Sequence, residues 1–74
     1  MDIRVDRPGT IRISVYNVAG QRVALLLNEY RGAGNHRAQW DGRNEKGAMV
    51  GNGTYLVVIE GPTGRSVRKI IVLK

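Results

Sequence analysis

Turn-forming clusters interrupt this chain so often that only short extended runs fit between them. Pro8-Gly9, Asn17-Val18-Ala19-Gly20, Arg31-Gly32-Ala33-Gly34-Asn35, Asp41-Gly42, Asn44-Glu45-Lys46-Gly47, Gly51-Asn52-Gly53 and Gly61-Pro62-Thr63-Gly64 divide it. Glycine and asparagine accept positive φ and proline presets φ for a turn, so clusters of these residues end regular structure. The clearest run is Thr10-Ile11-Arg12-Ile13-Ser14-Val15-Tyr16. Ile11, Ile13 and Val15 face one way and Arg12, Ser14 and Tyr16 the other, which is the period of a half-buried strand. Ile3-Arg4-Val5-Asp6 and His36-Arg37-Ala38-Gln39-Trp40 alternate in the same way. Thr54 to Glu60 is apolar on both faces, as in a central strand, and Ser66 to Leu73 reads as the last strand. Ala48-Met49-Val50 reads as a short strand or bridge. Gln21 to Tyr30 is ambiguous, because Val23, Leu25, Leu26 and Leu27 also suit a short helix; its flanking turns favour a strand. About seven strands, with turn signals roughly every 6–12 residues, predict an antiparallel all-β sandwich in one domain over residues 1–74.

A chain of 74 residues buries only about 60% of its unfolded surface, so its core is modest. It has no cysteine, hence neither a disulfide nor a thiolate metal site, and it depends on side-chain contacts or on something larger. No run approaches the ~20 apolar residues of a membrane helix. The charged start, Asp2-Ile3-Arg4-Val5-Asp6-Arg7-Pro8, has no signal-peptide core, so a signal for an exported parent is expected outside this chain.

Twelve basic residues, nine of them arginine, stand against six acids and give a formal charge of +6. Such a balance favours acidic partners, whether an anionic glycan, a nucleic acid or an acidic protein surface. It also serves simply to solvate the outer faces of strands. Three tyrosines, one tryptophan and no phenylalanine make a thin stacking platform, which argues against nucleic acid.

No constellation of residues points to a reaction. His36 is the only histidine and lacks partners at zinc-ligand spacing, so it is expected to cap a sheet edge by hydrogen bonding. Ser14 and Ser66 sit in no nucleophile elbow. Asp41-Gly42-Arg43-Asn44-Glu45-Lys46-Gly47 has an arginine where a calcium loop needs an acid, which leaves only a looser calcium contact at Asp41 open. Gly32-Ala33-Gly34 lacks the lysine and helix of a phosphate cradle. Neither a cofactor nor a metal is therefore expected. Trp40 is read as a core plug, with an exposed ring gripping a glycan as the alternative. Asp41 is expected to bond turn amides, and Gly42 to supply the bend.

Longer blocks carry a family resemblance. Val15-Tyr16-Asn17-Val18-Ala19-Gly20-Gln21-Arg22-Val23, Gly34-Asn35-His36-Arg37-Ala38-Gln39-Trp40-Asp41-Gly42-Arg43, Gly47 with Gly53-Thr54-Tyr55, and Arg68 to Lys74 resemble the pattern of the FlgD-type immunoglobulin-like domain. Asn17 replaces the usual Asp and Gly51-Asn52 a common Pro-Ser, both turn-compatible changes. The resemblance implies a seven-stranded immunoglobulin or fibronectin III-like sandwich of the kind found at the C-terminus of exported bacterial proteins, related to type IX sorting domains. It brings no catalytic residues, and it makes His36, Trp40, Asp41, Gly42, Gly47, Gly53 and Tyr55 structural. The function expected is a non-enzymatic accessory module, extracellular or in the cell envelope, that mediates sorting, surface anchoring or assembly. Its partners would be the parent polypeptide or the secretion and envelope machinery. Self-association through strand edges is compatible with this. A basic carbohydrate- or nucleic-acid-binding module is the alternative. An open edge strand can be extended by a partner strand, and Ser66–Leu73, with Arg65, Arg68 and Lys69, is the candidate edge.

Overall fold

The computed structural model describes residues 2–73, and every regular element among them is a strand. The strands are β1 (Asp2–Val5), β2 (Gly9–Asn17), β3 (Arg22–Arg31), β4 (Gly34–Arg37), β5 (Gly53–Gly61) and β6 (Gly64–Val72). They form a four-stranded antiparallel sheet in the order β3-β2-β5-β6 and a two-stranded one, β1-β4. The described strands number six, not the seven expected. Ala48–Val50 contributes only an isolated bridge between Arg43 and Met49, because three residues caught between two glycine turns cannot propagate a ladder. The run expected to extend through Trp40 stops at Arg37, where the ladder with β1 ends at the pair Asp2–Arg37.

The core lies between the two sheets. Ile3 and Val5 of β1 close onto Ile11, Ile13 and Val15 of β2, Ala24 of β3 and Val57 of β5. Ile13, Val15 and Val57 are wholly buried, as the central position of β2 and β5 requires. Full burial of each such side chain stabilises by roughly 1.5–3 kcal/mol.

β3 departs from regular alternation twice. Ile13 pairs with Leu27 but Ser14 with Leu25, and Val15 pairs with Ala24 but Tyr16 with Arg22, so Leu26 and Val23 are extra residues in the ladder. Each bulge rotates the strand locally. Val23, Leu26 and Leu27 all pack against the core as a result, although they do not follow period two.

Two turns share one construction. Asn17 Oδ1 accepts hydrogen bonds from the amides of Ala19 and Gln21, each at 3.0 Å. Asn44 Oδ1 accepts from Lys46 at 2.9 Å and Ala48 at 3.0 Å. The residue three positions on is Gly20 in one turn and Gly47 in the other, at φ +84° and +83°. The short amide side chain gathers two amides that a tight turn leaves without partners, and the glycine provides the left-handed step.

Candidate interaction surface

The loop between β4 and β5 is held by side chains rather than by a ladder. The Trp40 indole N–H donates to the Arg43 carbonyl at 2.9 Å, and its ring meets Tyr55 edge-on with centroids 5.4 Å apart. Such an aromatic pair adds about 0.5–1.5 kcal/mol beyond its buried area. Tyr55 Oη donates to the Gly51 carbonyl at 2.9 Å. Asp41 Oδ1 accepts from the Arg43 amide, and the Arg43 guanidinium donates to the Gly47 carbonyl. Gly42 sits at φ +79° beneath Met49, and its carbonyl accepts from the Val50 amide. Gly53 opens β5 at φ +153°. Trp40 is half-buried, packed on the rim of the core rather than at its centre. It also forms one wall of an open groove of ≈ 740 Å³, shared with Leu25, Leu26 and Ile70. His36 stands apart from this cluster and donates from Nε2 to the Gly32 carbonyl at 2.8 Å, tying β4 to the loop before it. Sequence reasoning overlooked the part of Asn44, although its match to the Asn17 turn was visible in the spacing Asn-x-x-Gly.

Charge is distributed unevenly. Every acid has its arginine: Asp2 with Arg37, Asp6 with Arg4, Glu29 with Arg31, Asp41 with Arg43, Glu45 with Arg22 and Glu60 with Arg12. These pairs are largely exposed, so each contributes only about 0–1 kcal/mol. Their larger effect is on the surface that remains. Arg7, Lys46, Arg65, Arg68 and Lys69 enter no ion pair among the described residues, and three of these cations lie on the edge strand β6.

Register assigns the β6 side chains to faces. Row by row across the large sheet, Ser14, Val58 and Val67 lie side by side, as do Tyr16, Leu56 and Lys69, and Glu60 pairs with Arg65. Arg65, Val67, Lys69 and Ile71 therefore share the outer face, where Val67 is 53% and Ile71 59% exposed. The other face of β6 carries Ser66, Arg68 and Ile70. Arg68 sits in the row of Val15 and Val57, both 0% exposed, yet is itself exposed. The small sheet does not reach far enough to cover it. Arg65, Arg68 and Lys69 thus share a strand but not a face.

Among the described residues, no group of three or more histidine, cysteine, aspartate or glutamate side chains is placed to hold a metal ion. Among the described residues no helix is long and apolar enough to cross a membrane.

Two antiparallel sheets closed by side-chain-braced turns define an all-β, immunoglobulin-like domain. The profile of the FlgD Ig-like domain family matches residues 3–65, and the chain belongs to that family. Membership places it among non-catalytic accessory domains. No curated protein and no solved structure matches it.

Proposed function

We propose that this domain is an accessory module of an exported bacterial protein, and that it mediates sorting, surface anchoring or assembly through the outer face of its four-stranded sheet. The observation that carries this is the composition of β6: Arg65 and Lys69, which enter no ion pair among the described residues, alternate with exposed Val67 and Ile71 on one face. Apolar side chains rimmed by charge are the pattern of a protein contact. The partner would be the rest of the parent polypeptide or the secretion and envelope machinery, outside the cell or in its envelope. The family supports export, because it takes its description from a flagellar hook-associated protein.

A secreted reporter carrying this domain tests the proposal. In the organism that encodes it, the variant Arg65→Glu/Lys69→Glu should lose most of the reporter's localisation to the envelope or medium. Unchanged localisation, with the variant domain still folded by circular dichroism, would sink the idea.

The same cations favour a second reading, an anionic glycan as ligand. Retention on heparin that falls steeply between 50 and 500 mM salt would support it, since contacts to a polyanion release counterions.

A further inference from the structure

We infer that the outer face of β5 and β6 docks an amphipathic α-helix of a second protein, one whose apolar stripe is bordered by carboxylates along one side. This rests on the docking face proposed above and names its occupant.

The apolar part of this face is two strands wide. Leu56 and Val58 of β5 stand beside Val67 and Ile71 of β6, the first two half-buried and the last two more than half exposed. The next column, on β2, is polar: Arg12, Ser14 and Tyr16 share the face through their pairing with Glu60, Val58 and Leu56. Neighbouring strands lie about 4.8 Å apart and a helix with its side chains is about 10–12 Å across, so one helix lying along the strands covers both apolar columns. A second sheet packed face to face draws on the inner residues of all its partner's strands, and the β2 column offers it polar ones. An extended segment gains little here either. β5 is paired on both sides, so the face offers side chains and no free backbone groups over β5. A strand turns every second side chain away from such a surface, whereas a helix lines up one continuous stripe.

Charge selects which helix. Glu60 lies opposite Arg65 in the ladder, but its carboxylate pairs with Arg12 at 3.0 Å, which neutralises the β2 side of the face. Arg65 and Lys69 enter no ion pair among the described residues, and both lie in the outermost column. They are four residues apart, about 13 Å along a strand. Two acids seven residues apart on a helix lie on one side of it, about 10.5 Å apart along the axis, within reach of these two long side chains. A second copy of this chain supplies no such element. Its described regular elements are all strands, and each of its acids already has an arginine. Apolar burial would supply the affinity, and the two cations would fix which side of the helix lies along the sheet edge.

The test uses the whole chain and an acetylated, amidated peptide of two heptads, with leucine at the a and d positions, glutamate at both e positions and alanine or glutamine elsewhere. Amide and methyl NMR should show perturbations centred on Leu56, Val58, Val67 and Ile71, and circular dichroism should show the peptide gaining helix as it binds. The variant Arg65→Glu/Lys69→Glu should bind about tenfold more weakly, since it sets like charges against each other. The variant Arg7→Glu/Arg68→Glu makes the same change in net charge away from this face and should bind as the unaltered chain does. Equal losses in the two variants would reduce the effect to long-range attraction and overturn the inference. Val67→Ser/Ile71→Ser keeps every charge, and unchanged affinity in that variant would overturn it as well. So would equal binding of a peptide with lysine at the e positions, or binding of the peptide in an extended form. The melting temperature of each variant is checked first. If the peptide fails to bind while reporter localisation still depends on Arg65 and Lys69, the helix is overturned and the docking face stands. Helix binding with localisation unaffected would keep the helix site and remove the localisation role.

Discussion

Single side chains hold the turns of this domain. Asn44 accepts from two amides, and its own backbone closes the loop by donating to Ala48 at 2.8 Å and accepting from Gly47 at 3.0 Å. Replacing Asn44 with alanine should cost about 1–2 kcal/mol, because both amides lose their acceptor. Asn44→Asp keeps the acceptor and should cost less; urea unfolding of the two variants checks the order. Gly9 is limited by space rather than by φ. A Cβ there would lie 2.2 Å from Pro62 Cγ, where the β5–β6 hairpin crosses the start of β2. Gly9→Ala should destabilise by about 1–3 kcal/mol through overpacking. Pro62→Ala in the same chain should recover much of that, and a double-mutant cycle measures the coupling. The turn at Asn17 was legible in the sequence because asparagine-glycine chemistry acts within four residues. The contact of Gly9 with Pro62 was not, since it joins positions 53 residues apart.

At the scale of elements, β3 shows why a correct pattern can mislead. Val23, Leu26, Leu27 and Tyr30 fall at the i, i+3, i+4, i+7 spacing of a helix face. Two bulges opposite β2 produce that spacing in a strand by adding one residue each to the ladder. Nothing within β3 reports them, because a bulge exists only relative to a partner. β2 carries no such irregularity against β5 and its alternation translates directly into buried Ile11, Ile13 and Val15. The two sheets should also differ in local stability. β2 and β5 have partners on both sides, whereas β1 and β4 have four-residue ladders with each other alone. Amide exchange should therefore be slowest in β2 and β5 and fastest, by orders of magnitude, in Asp2–Val5 and Gly34–Arg37. Equal protection of all six strands would contradict this ordering.

At the scale of the molecule, shape and charge follow from the same imbalance. The radius of gyration is 12.5 Å, against about 11 Å for a compact chain of this length, and the long axis is 35 Å. A four-stranded sheet faced by a two-stranded one gives an elongated shape. The surplus cations should keep copies apart while the solution is dilute in salt. Sedimentation at 10 mM salt, where the screening length is about 30 Å, should show a single 8.2 kDa species. Association, if strand edges allow it, should emerge only as salt rises toward 1 M and screening shortens to about 3 Å. Dimers already present at 10 mM would mean that edge pairing outweighs the repulsion.

The sequence by itself determined the all-β class, most of the turns and the faces of β2, because period two and the φ preferences of glycine, asparagine and proline act over a few residues. The family blocks around Trp40 were legible for the same reason: their braces, Trp40 to Arg43 and Tyr55 to Gly51, are local. Tertiary structure alone decided where β4 stops, that β3 bulges, and which arginines are left over. Arg12 finds Glu60 across 48 positions and Arg37 finds Asp2 across 35, while Arg68, in the row of Val15 and Val57, has no ion pair among the described residues. Long-range pairing creates that remainder, because it joins strands that lie far apart in the sequence.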